Sequence, residues 1–246
     1  MTEVEFPSIP AGTAVDHRAL CHFGARHAVV VHEAQEHLAD QLGEWSHYDF
    51  DPFTQTLSFD DRSFKAQLLG SHSYESDTWL WAWGNQAYAT PELEKVTAAA
   101  RWLRDASPDR DRAWQLRTRL FPVGEQLSAG GVPCWPLQYA AFAWLRARAT
   151  FQGDYGTGRF FLTIHDQTLP PAIPNALSFP RLVTAAAQTS GVGARTLVQT
   201  YANWHGLALR DTGDTLGLQF PSAGEITIGL DEFGRATSFR SQLRQG

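Results

Sequence analysis

The chain has 246 residues, of which 43% are hydrophobic and 19% are charged, and this composition is typical of a folded globular protein rather than a disordered one. Its formal net charge of -6 argues against a nucleic-acid partner, because binding to phosphates rests on a surplus of Lys and Arg. No apolar run approaches the roughly 20 residues that cross a bilayer, so no membrane partner is predicted.

The first residues and the cysteines predict a cytoplasmic location. Met-Thr-Glu-Val-Glu carries acid where a secretory signal peptide carries base. Cys21 and Cys134 offer at most one disulfide in a chain large enough to fold without one. We therefore expect two buried thiols in a reducing compartment.

The N-terminal half is predicted to begin with a helix and to continue as an antiparallel meander. Residues 23–45 contain no Pro and place apolar side chains on one stripe with helical spacing. Short aromatic and Thr-rich segments, separated by turn residues, follow at 46–51, 54–60, 63–74 and 77–84. Further helices are predicted from Thr90 to about 103, at 109–120 and at 136–149, and further strands at 150–155 and 158–166.

The C-terminal half has the same order of elements. Helices are predicted at 179–189 and 194–205, and strands at 207–211, 214–220, 225–230 and 235–240. The fold class is therefore α+β, with a helix followed by an antiparallel meander in two units and helices packed on the sheets. The Pro-rich segment 168–175 predicts a linker between an N-terminal domain, 1–167, and a C-terminal domain, 176–246.

The repeated order of elements raises the hypothesis of an internal duplication. The identities at one constant offset are Trp45 with Trp204, Thr56 with Thr215 and Leu57 with Leu216. Two unrelated units of helix and meander would also produce such a match by chance, so both interpretations stay open.

The central feature of the sequence is the aromatic segment Thr78–Asn85, Thr-Trp-Leu-Trp-Ala-Trp-Gly-Asn. In a strand, the period of two puts Trp79, Trp81 and Trp83 on one face and the intervening Leu and Ala on the other. Because both faces are apolar, we predict that this strand lies centrally in its sheet.

This segment, together with the Gly70-Ser71 step before it, resembles an uncharacterised bacterial family that is classed as a domain of unknown function. The family signature is a Gly-Ser/Thr step followed by Thr-Trp-Leu-Trp-Ala-Trp-x-Asn, and Gly84 stands where the family usually has Ala. The resemblance covers about residues 23–165, including the hairpin at 153–156, and leaves 171–246 outside. It implies no activity and supplies no catalytic residue, since the family has none established.

Two interpretations of the aromatic segment are open. Indoles on a strand are first of all core material. Alternatively, the three indoles line a cleft in which Asn85, at the strand end, offers a donor and an acceptor to a ring-bearing or sugar-like ligand. The predicted ligand-binding residues are Trp79, Trp81, Trp83, Asn85, His72 and Asp77.

The spacing of the residues that resemble catalytic motifs argues against the common enzyme classes. His32 and His37 are five residues apart, whereas the zinc-protease helix needs its two histidines four residues apart on one face. The glycine-rich 153–158 precedes a predicted strand, so it predicts a hairpin turn rather than a phosphate loop. No metal, no cofactor and no catalytic residue is predicted.

The sequence therefore favours a non-catalytic binding or protein-interaction protein, of the kind that bacteria use as immunity or accessory factors. Its partner is an unidentified protein or a small molecule, with no nucleic acid and no membrane. The alternative is a small-molecule enzyme or a ligand sensor whose pocket is lined by the Trp residues.

Overall fold

The computed structural model describes residues 17–105, 113–123, 134–221 and 223–242, with side chains from residue 20 onward. By their contacts these residues divide into two units. Among the described residues, the N-terminal unit contains those up to Gly24 and those from Ala34 to Pro171, and the C-terminal unit contains Ala25–Glu33 and those from Ala172 onward. Both units combine helices with an antiparallel sheet, which confirms the predicted α+β class.

The N-terminal unit is built on a seven-stranded sheet. Its strands are β1 (Tyr48–Asp51), β2 (Thr56–Phe59), β3 (Arg62–Ser73), β4 (Thr78–Trp81), β5 (Leu120–Pro122), β6 (Ala149–Asp154) and β7 (Gly158–Ile164). The helices described in this half of the chain are α1 (His17–Arg26), α2 (Ala28–Leu42), α3 (Ala98–Asp105), α4 (Trp114–Arg117) and α5 (Cys134–Leu145). The end of α1 and the start of α2 fall within 25–33 and group with the C-terminal unit.

The long strand β3 organises this sheet. Its first residues pair with β2 and its last residues with β4, so β1 to β4 follow one another as the predicted meander, and β5, which was not predicted as a strand, pairs with β4. Strand β7 also pairs with β3, along Ala66–Ser73, and β6 pairs with β7. The register of β3 against β7 shifts between Leu68 and Gly70, as at a β-bulge.

Helix α5 is a core helix of the N-terminal unit, because it is apolar around almost its whole circumference and nearly all of its residues are buried. Phe23 of α1 stacks on Trp144 of α5 with ring centroids 4.7 Å apart. The two helices approach closely at Gly24, where a Cβ would lie 2.0 Å from the carbonyl oxygen of Pro136. Glycine at this position therefore permits the contact between the backbones.

The helix predicted over 23–45 is two helices that end before Trp45. His27 is a turn residue between α1 and α2. Helix α2 stops at Leu42 because Gly43 takes the left-handed conformation, with φ +67°, and closes the last turn by bonding to the carbonyl of Ala39. Trp45 is consequently outside the helix and exposed.

Two further helices of the N-terminal half differ between the prediction and the structure. The helix predicted from Thr90 passes through turns and a 3-10 helix before it becomes α3 at Ala98. Of the helix predicted at 109–120, residues 109–112 lie outside the described residues, and the remainder is the single turn α4 followed by β5. Residues 120–122 are extended because they pair with β4, a tertiary contact that overrides local helix propensity.

The strand predicted at 77–84 ends at Trp81, because Ala82–Gly84 form a 3-10 turn. Trp83 therefore leaves the strand face that Trp79 and Trp81 share. At the turn, Nε of Arg119 donates to the carbonyl of Gly84 at 2.6 Å, and a Cβ at residue 84 would meet the Arg119 side chain at 2.3 Å. The absence of a side chain at Gly84 thus makes room for this arginine.

The C-terminal unit has helices α6 (Phe179–Ser190) and α7 (Ala194–His205) and strands β8 (Leu209–Asp211), β9 (Thr215–Phe220), β10 (Gly224–Leu230) and β11 (Ala236–Gln242). The strands form an antiparallel sheet in the order β11-β10-β9-β8, which confirms the predicted helix-then-meander order. Phe179 and Tyr201 pack against Phe220, so both helices cover one face of this sheet. The linker at 168–175 and the two-domain division stay predictions.

Candidate functional site

A pocket of about 580 Å³ opens on the N-terminal unit. Ser71 of β3, Leu80 of β4 and Phe160 of β7 lie opposite one another across the ladders and all line it. Because directly opposite residues of antiparallel strands point to the same face, these side chains form the floor on one face of the sheet. The floor is apolar except for the hydroxyl of Ser71.

The walls come from three other segments of the same unit. Strand β1 supplies Tyr48 and Phe50, the turns after β4 supply Asn85 and Tyr88, and the hairpin between β6 and β7 supplies Tyr155. Phe50 stacks on Phe160 of the floor with ring centroids 5.8 Å apart and planes 26° apart. The pocket is therefore lined mainly by aromatic rings, as ligand pockets of this size usually are.

Tyr48 fastens β1 to the end of β6. Its hydroxyl donates to the carbonyl of Asp154 at 3.0 Å and accepts from the N–H of the same residue at 2.8 Å. Its ring lies edge-on to Phe160, 6.4 Å between centroids. Tyr48 is thus held in place by bonds within the protein.

Glycines beneath two of the aromatic rings shape the pocket. Gly153 is the cross-strand partner of Phe160, and a Cβ at residue 153 would lie 2.1 Å from Cζ of that ring. A Cβ at Gly158 would lie 2.2 Å from the backbone oxygen of His72 and 2.4 Å from the hydroxyl oxygen of Tyr155. Both rings can lie over the strand backbone because no side chain stands under them.

Several hydrogen-bonding groups face the pocket without a partner among the residues that the structure describes. They are the hydroxyls of Ser71, Tyr88 and Tyr155 and the amide N–H groups of Asn85. The Asn85 oxygen accepts from the N–H of Ala87 at 3.0 Å and so caps the turn that follows. Burial, with a smaller contribution from Tyr155, raises the pKa of Tyr88, so its hydroxyl stays protonated and can donate.

Of the described residues that line this pocket, the charged ones are acidic, Asp49 and Asp154. The carboxylate of Asp154 accepts from the Tyr74 hydroxyl at 2.5 Å and from the N–H of Gly156 at 2.6 Å. The Tyr74 bond first, then the Gly156 bond and the charge of Arg159, hold the pKa of Asp154 below its ordinary value. Asp154 is therefore ionised at neutral pH.

The two strand indoles of the predicted site are buried. Trp79 and Trp81 are 0% and 1% exposed and contact each other and Phe161 on the face of the sheet opposite the pocket floor. The indole N–H of Trp81 donates to the carbonyl of Gln115 at 2.6 Å. Trp83 is half-buried in the 3-10 turn, where the guanidinium of Arg104 lies 4.9 Å from its ring. None of the three lines the pocket.

The remaining predicted site residues divide between two places. His72 is buried, and its Nε2 lies 2.8 Å from Oδ1 of Asp77, which is half-exposed in the turn between β3 and β4. This pair ties the turn to the strand and does not line the pocket. Asn85 does line it.

Sequence reasoning missed most of the pocket residues. Tyr48 and Phe50 alternate along β1, and Phe160 follows a glycine hairpin, so their period of two was a usable signal for one shared face. No local pattern marked Tyr88 or Tyr155, because their place depends on turns that approach the sheet only in the folded chain.

A second polar cluster is buried in the C-terminal unit. The Tyr201 hydroxyl donates to Oε1 of Glu33 at 2.5 Å and accepts from the backbone N–H of Asn175. Nε2 of His205 lies 2.7 Å from Oε2 of Glu33, at ion-pair distance but without hydrogen-bond alignment. Burial first, then the charge and hydrogen bond of Glu33, raise the pKa of Tyr201 far above its ordinary value. The cluster joins α2, α7 and the segment before α6.

Within the described part of the chain, no three His, Cys, Asp or Glu residues are grouped so that they could hold a metal ion. No described helix is long and apolar enough to span a membrane.

Comparisons with known proteins place the N-terminal part of the chain in a family. Residues 22–167 match DUF6882, a family of unknown function. Comparisons with curated proteins and with solved structures each found no match. The family match spans more than half of the 246 residues, and the chain therefore belongs to the DUF6882 family of unknown function.

Proposed function

We propose that this chain is a non-catalytic binding protein whose N-terminal unit holds a small, ring-bearing ligand in the pocket. The observation that carries this proposal is the pocket itself, whose aromatic floor and walls surround hydrogen-bonding groups that have no partner among the described residues. Aromatic faces give a ring its contact area, and a few polar groups fix its orientation.

Binding is favoured over catalysis by the way in which the acidic and imidazole groups are engaged. Asp154 accepts bonds from Tyr74 and Gly156, so its oxygens are already committed to structural donors. His72 is buried and paired with Asp77 outside the pocket lining. A general acid or base must be able to reach the reacting atoms of a bound substrate.

Asn85 is the predicted site residue that the proposal retains for ligand contact. Its oxygen is used to cap the next turn, and this bond orients its amide N–H groups as donors. The predicted residues Trp79 and Trp81 act indirectly in this proposal, because they pack beneath the sheet and keep the floor rigid.

The proposal includes the organisation of the chain. We take 168–175 as the linker between the two domains, the segment Thr78–Asn85 with the Gly70-Ser71 step as a signature of a bacterial family, and the cytoplasm as the location. The matched order of helix and meander supports an internal duplication as the origin of the two halves.

The test fills the pocket with a side chain. In Ser71→Trp an indole would occupy the floor, while Ser58→Trp places the same side chain on β2, at a serine that does not line the pocket. Calorimetric titration of the intact chain with neutral monosaccharides and ribonucleosides should show binding to the wild type. We expect an affinity at least tenfold lower for Ser71→Trp and little change for Ser58→Trp.

A second variant guards against a fold defect in the first. Asn85→Ala removes the amide donors and should lower the affinity severalfold, with a circular-dichroism spectrum like that of the wild type. Equal affinities in the wild type, Ser71→Trp and Asn85→Ala would contradict the pocket as the binding site. Recovery of a tightly bound protein partner, with no small-molecule binding, would favour the protein-interaction function instead.

A further inference from the structure

The charged residues of the pocket lining, within the described part of the chain, are of one sign. Among the residues that the structure describes, Asp49 and Asp154 are in the lining, and no Lys, Arg or His is. Arg159 is close to Asp154 in the ladder, but its guanidinium lies over the ring of Tyr74, and Tyr74 itself bonds to the Asp154 carboxylate. Asp49 lies between Tyr48 and Phe50 on β1, so its carboxylate points to the opposite face and acts on the pocket from its edge, as does the Asp154 carboxylate that is bonded to Tyr74. An anionic ligand would therefore meet no cation among the described lining residues, and these two nearby carboxylates would repel it.

The hydrogen-bonding groups that face the pocket are uncharged and mostly hydroxyls. Ser71, Tyr88 and Tyr155 can each donate one bond and accept others, and the Asn85 amide donates. Hydroxyl groups on a ligand match this set, because they too both donate and accept. Phosphate oxygens are normally bound by Arg, Lys or clustered backbone N–H groups.

The aromatic rings supply the complementary apolar surface. The tip of the Phe160 ring lies over Gly153, and Phe50 stacks on Phe160, so the lining contains stacked rings with apolar faces. A saturated or aromatic ring gains contact area on such faces without needing a charge.

We infer that the pocket selects uncharged rings that carry hydroxyl groups, such as free sugars or nucleosides, and excludes their phosphate esters. This inference rests on the proposed binding function and adds the chemical class of the ligand. A sugar and a nucleoside share the hydroxylated ring, and only the nucleoside carries a base. The experiment compares the affinities of both to show whether the base contributes to binding.

The experiment measures the intact chain by calorimetric titration against matched pairs. Each neutral monosaccharide and ribonucleoside is compared with its own phosphate ester, and choline serves as a cationic probe. At low salt we expect each ester to bind at least tenfold more weakly than its parent. The ratio of the two dissociation constants, ester to parent, should fall to about threefold in 0.5 M NaCl, because salt at that concentration screens charges beyond a few ångströms.

A charge variant tests the cause of the discrimination. Asp49→Asn removes one carboxylate at the edge of the pocket and should narrow the affinity ratio between parent and ester. Asp61→Asn removes an acid from the turn between β2 and β3, outside the lining, and should leave that ratio as it is. Tighter binding of nucleosides than of free sugars would assign part of the pocket to the base, and the reverse would assign it to the sugar.

The outcomes separate the inference from the proposed function. Esters that bind as tightly as their parents, or choline that binds more tightly than any neutral ring, would overturn the inference while the pocket remains a binding site. No binding by any probe at millimolar concentration would contradict the proposed function itself. An unchanged affinity ratio in Asp49→Asn would contradict repulsion by the carboxylates beside the pocket as the cause of the selection.

Discussion

Removal of one buried hydroxyl should destabilise the protein measurably. In Tyr201→Phe, Oε1 of Glu33 loses a donor that now lies 2.5 Å away in the interior of the C-terminal unit. A hydrogen bond to a charged group contributes about 1.5–3 kcal/mol, and its loss leaves a buried carboxylate oxygen without its partner. We therefore expect a loss of about 2 kcal/mol in the free energy of unfolding.

The assay is differential scanning calorimetry of the intact chain. For a protein of 150 to 250 residues, 1 kcal/mol corresponds to a shift in Tm of about 2–4 °C, so the transition of the intact chain should fall by about 4–8 °C. Tyr74→Phe is the matched control, because the Tyr74 hydroxyl makes a bond of the same 2.5 Å length to Asp154. Tyr74 is 41% exposed, and water can replace its bond.

The comparison between the two variants decides the result. A Tm that falls clearly in Tyr201→Phe and little in Tyr74→Phe supports the buried cluster as a stabilising element. Equal shifts in both variants, or an unchanged Tm in Tyr201→Phe, would refute the reasoning, because burial would then have no effect on the value of the bond.

Gly153→Ala should push the ring of Phe160 into the pocket and weaken ligand binding by at least tenfold in calorimetric titration. Adding Phe160→Leu to this variant should restore part of the affinity. Undiminished binding in Gly153→Ala would show that the ring can move without entering the pocket. Tyr74→Phe should raise the pKa of Asp154, because it removes the hydrogen bond that is the largest cause of the lowered value. The lowered pKa stabilises the folded state above about pH 4, and this stabilisation is lost as the pH falls through the pKa of the folded state, so the variant should lose less stability in acid than the wild type. An Asp154 titration curve by NMR that matches the wild type would contradict this. The fragment 22–167 should self-associate in size-exclusion chromatography, because its buried apolar residues 28–31 belong to the C-terminal unit, most of which the fragment lacks. A stable monomeric fragment would contradict the grouping of 25–33 with the C-terminal unit.

Much of the strand order could be predicted because the period of two is a local property. The alternation in β1 to β4 and in β8 to β11 located the strands to within a few residues, and the turn residues between them set the antiparallel order. The apolar character of both faces of Trp79–Trp81 correctly indicated a strand with neighbours on each side, β3 and β5.

Contacts between distant segments could not be predicted in the same way. Ser71 of β3 meets Phe160 of β7 across a pairing that no local pattern specifies, and this pairing creates the pocket floor. The turn at Ala82 also depends on a distant residue, since Arg119 bonds to the backbone there. The bond between Glu33 and Tyr201 joins residues that are 168 positions apart.

The most direct test of the binding proposal is to locate the ligand by NMR. The isotope-labelled chain would be titrated with the neutral ring that binds most tightly, and the shifts of individual side chains followed. We predict the largest changes at the Asn85 amide and the Leu80 methyl groups, and small changes at the indole N–H groups of Trp79 and Trp81, which lie on the other face of the sheet. Largest changes at those two indoles, or in the C-terminal unit, would contradict the account.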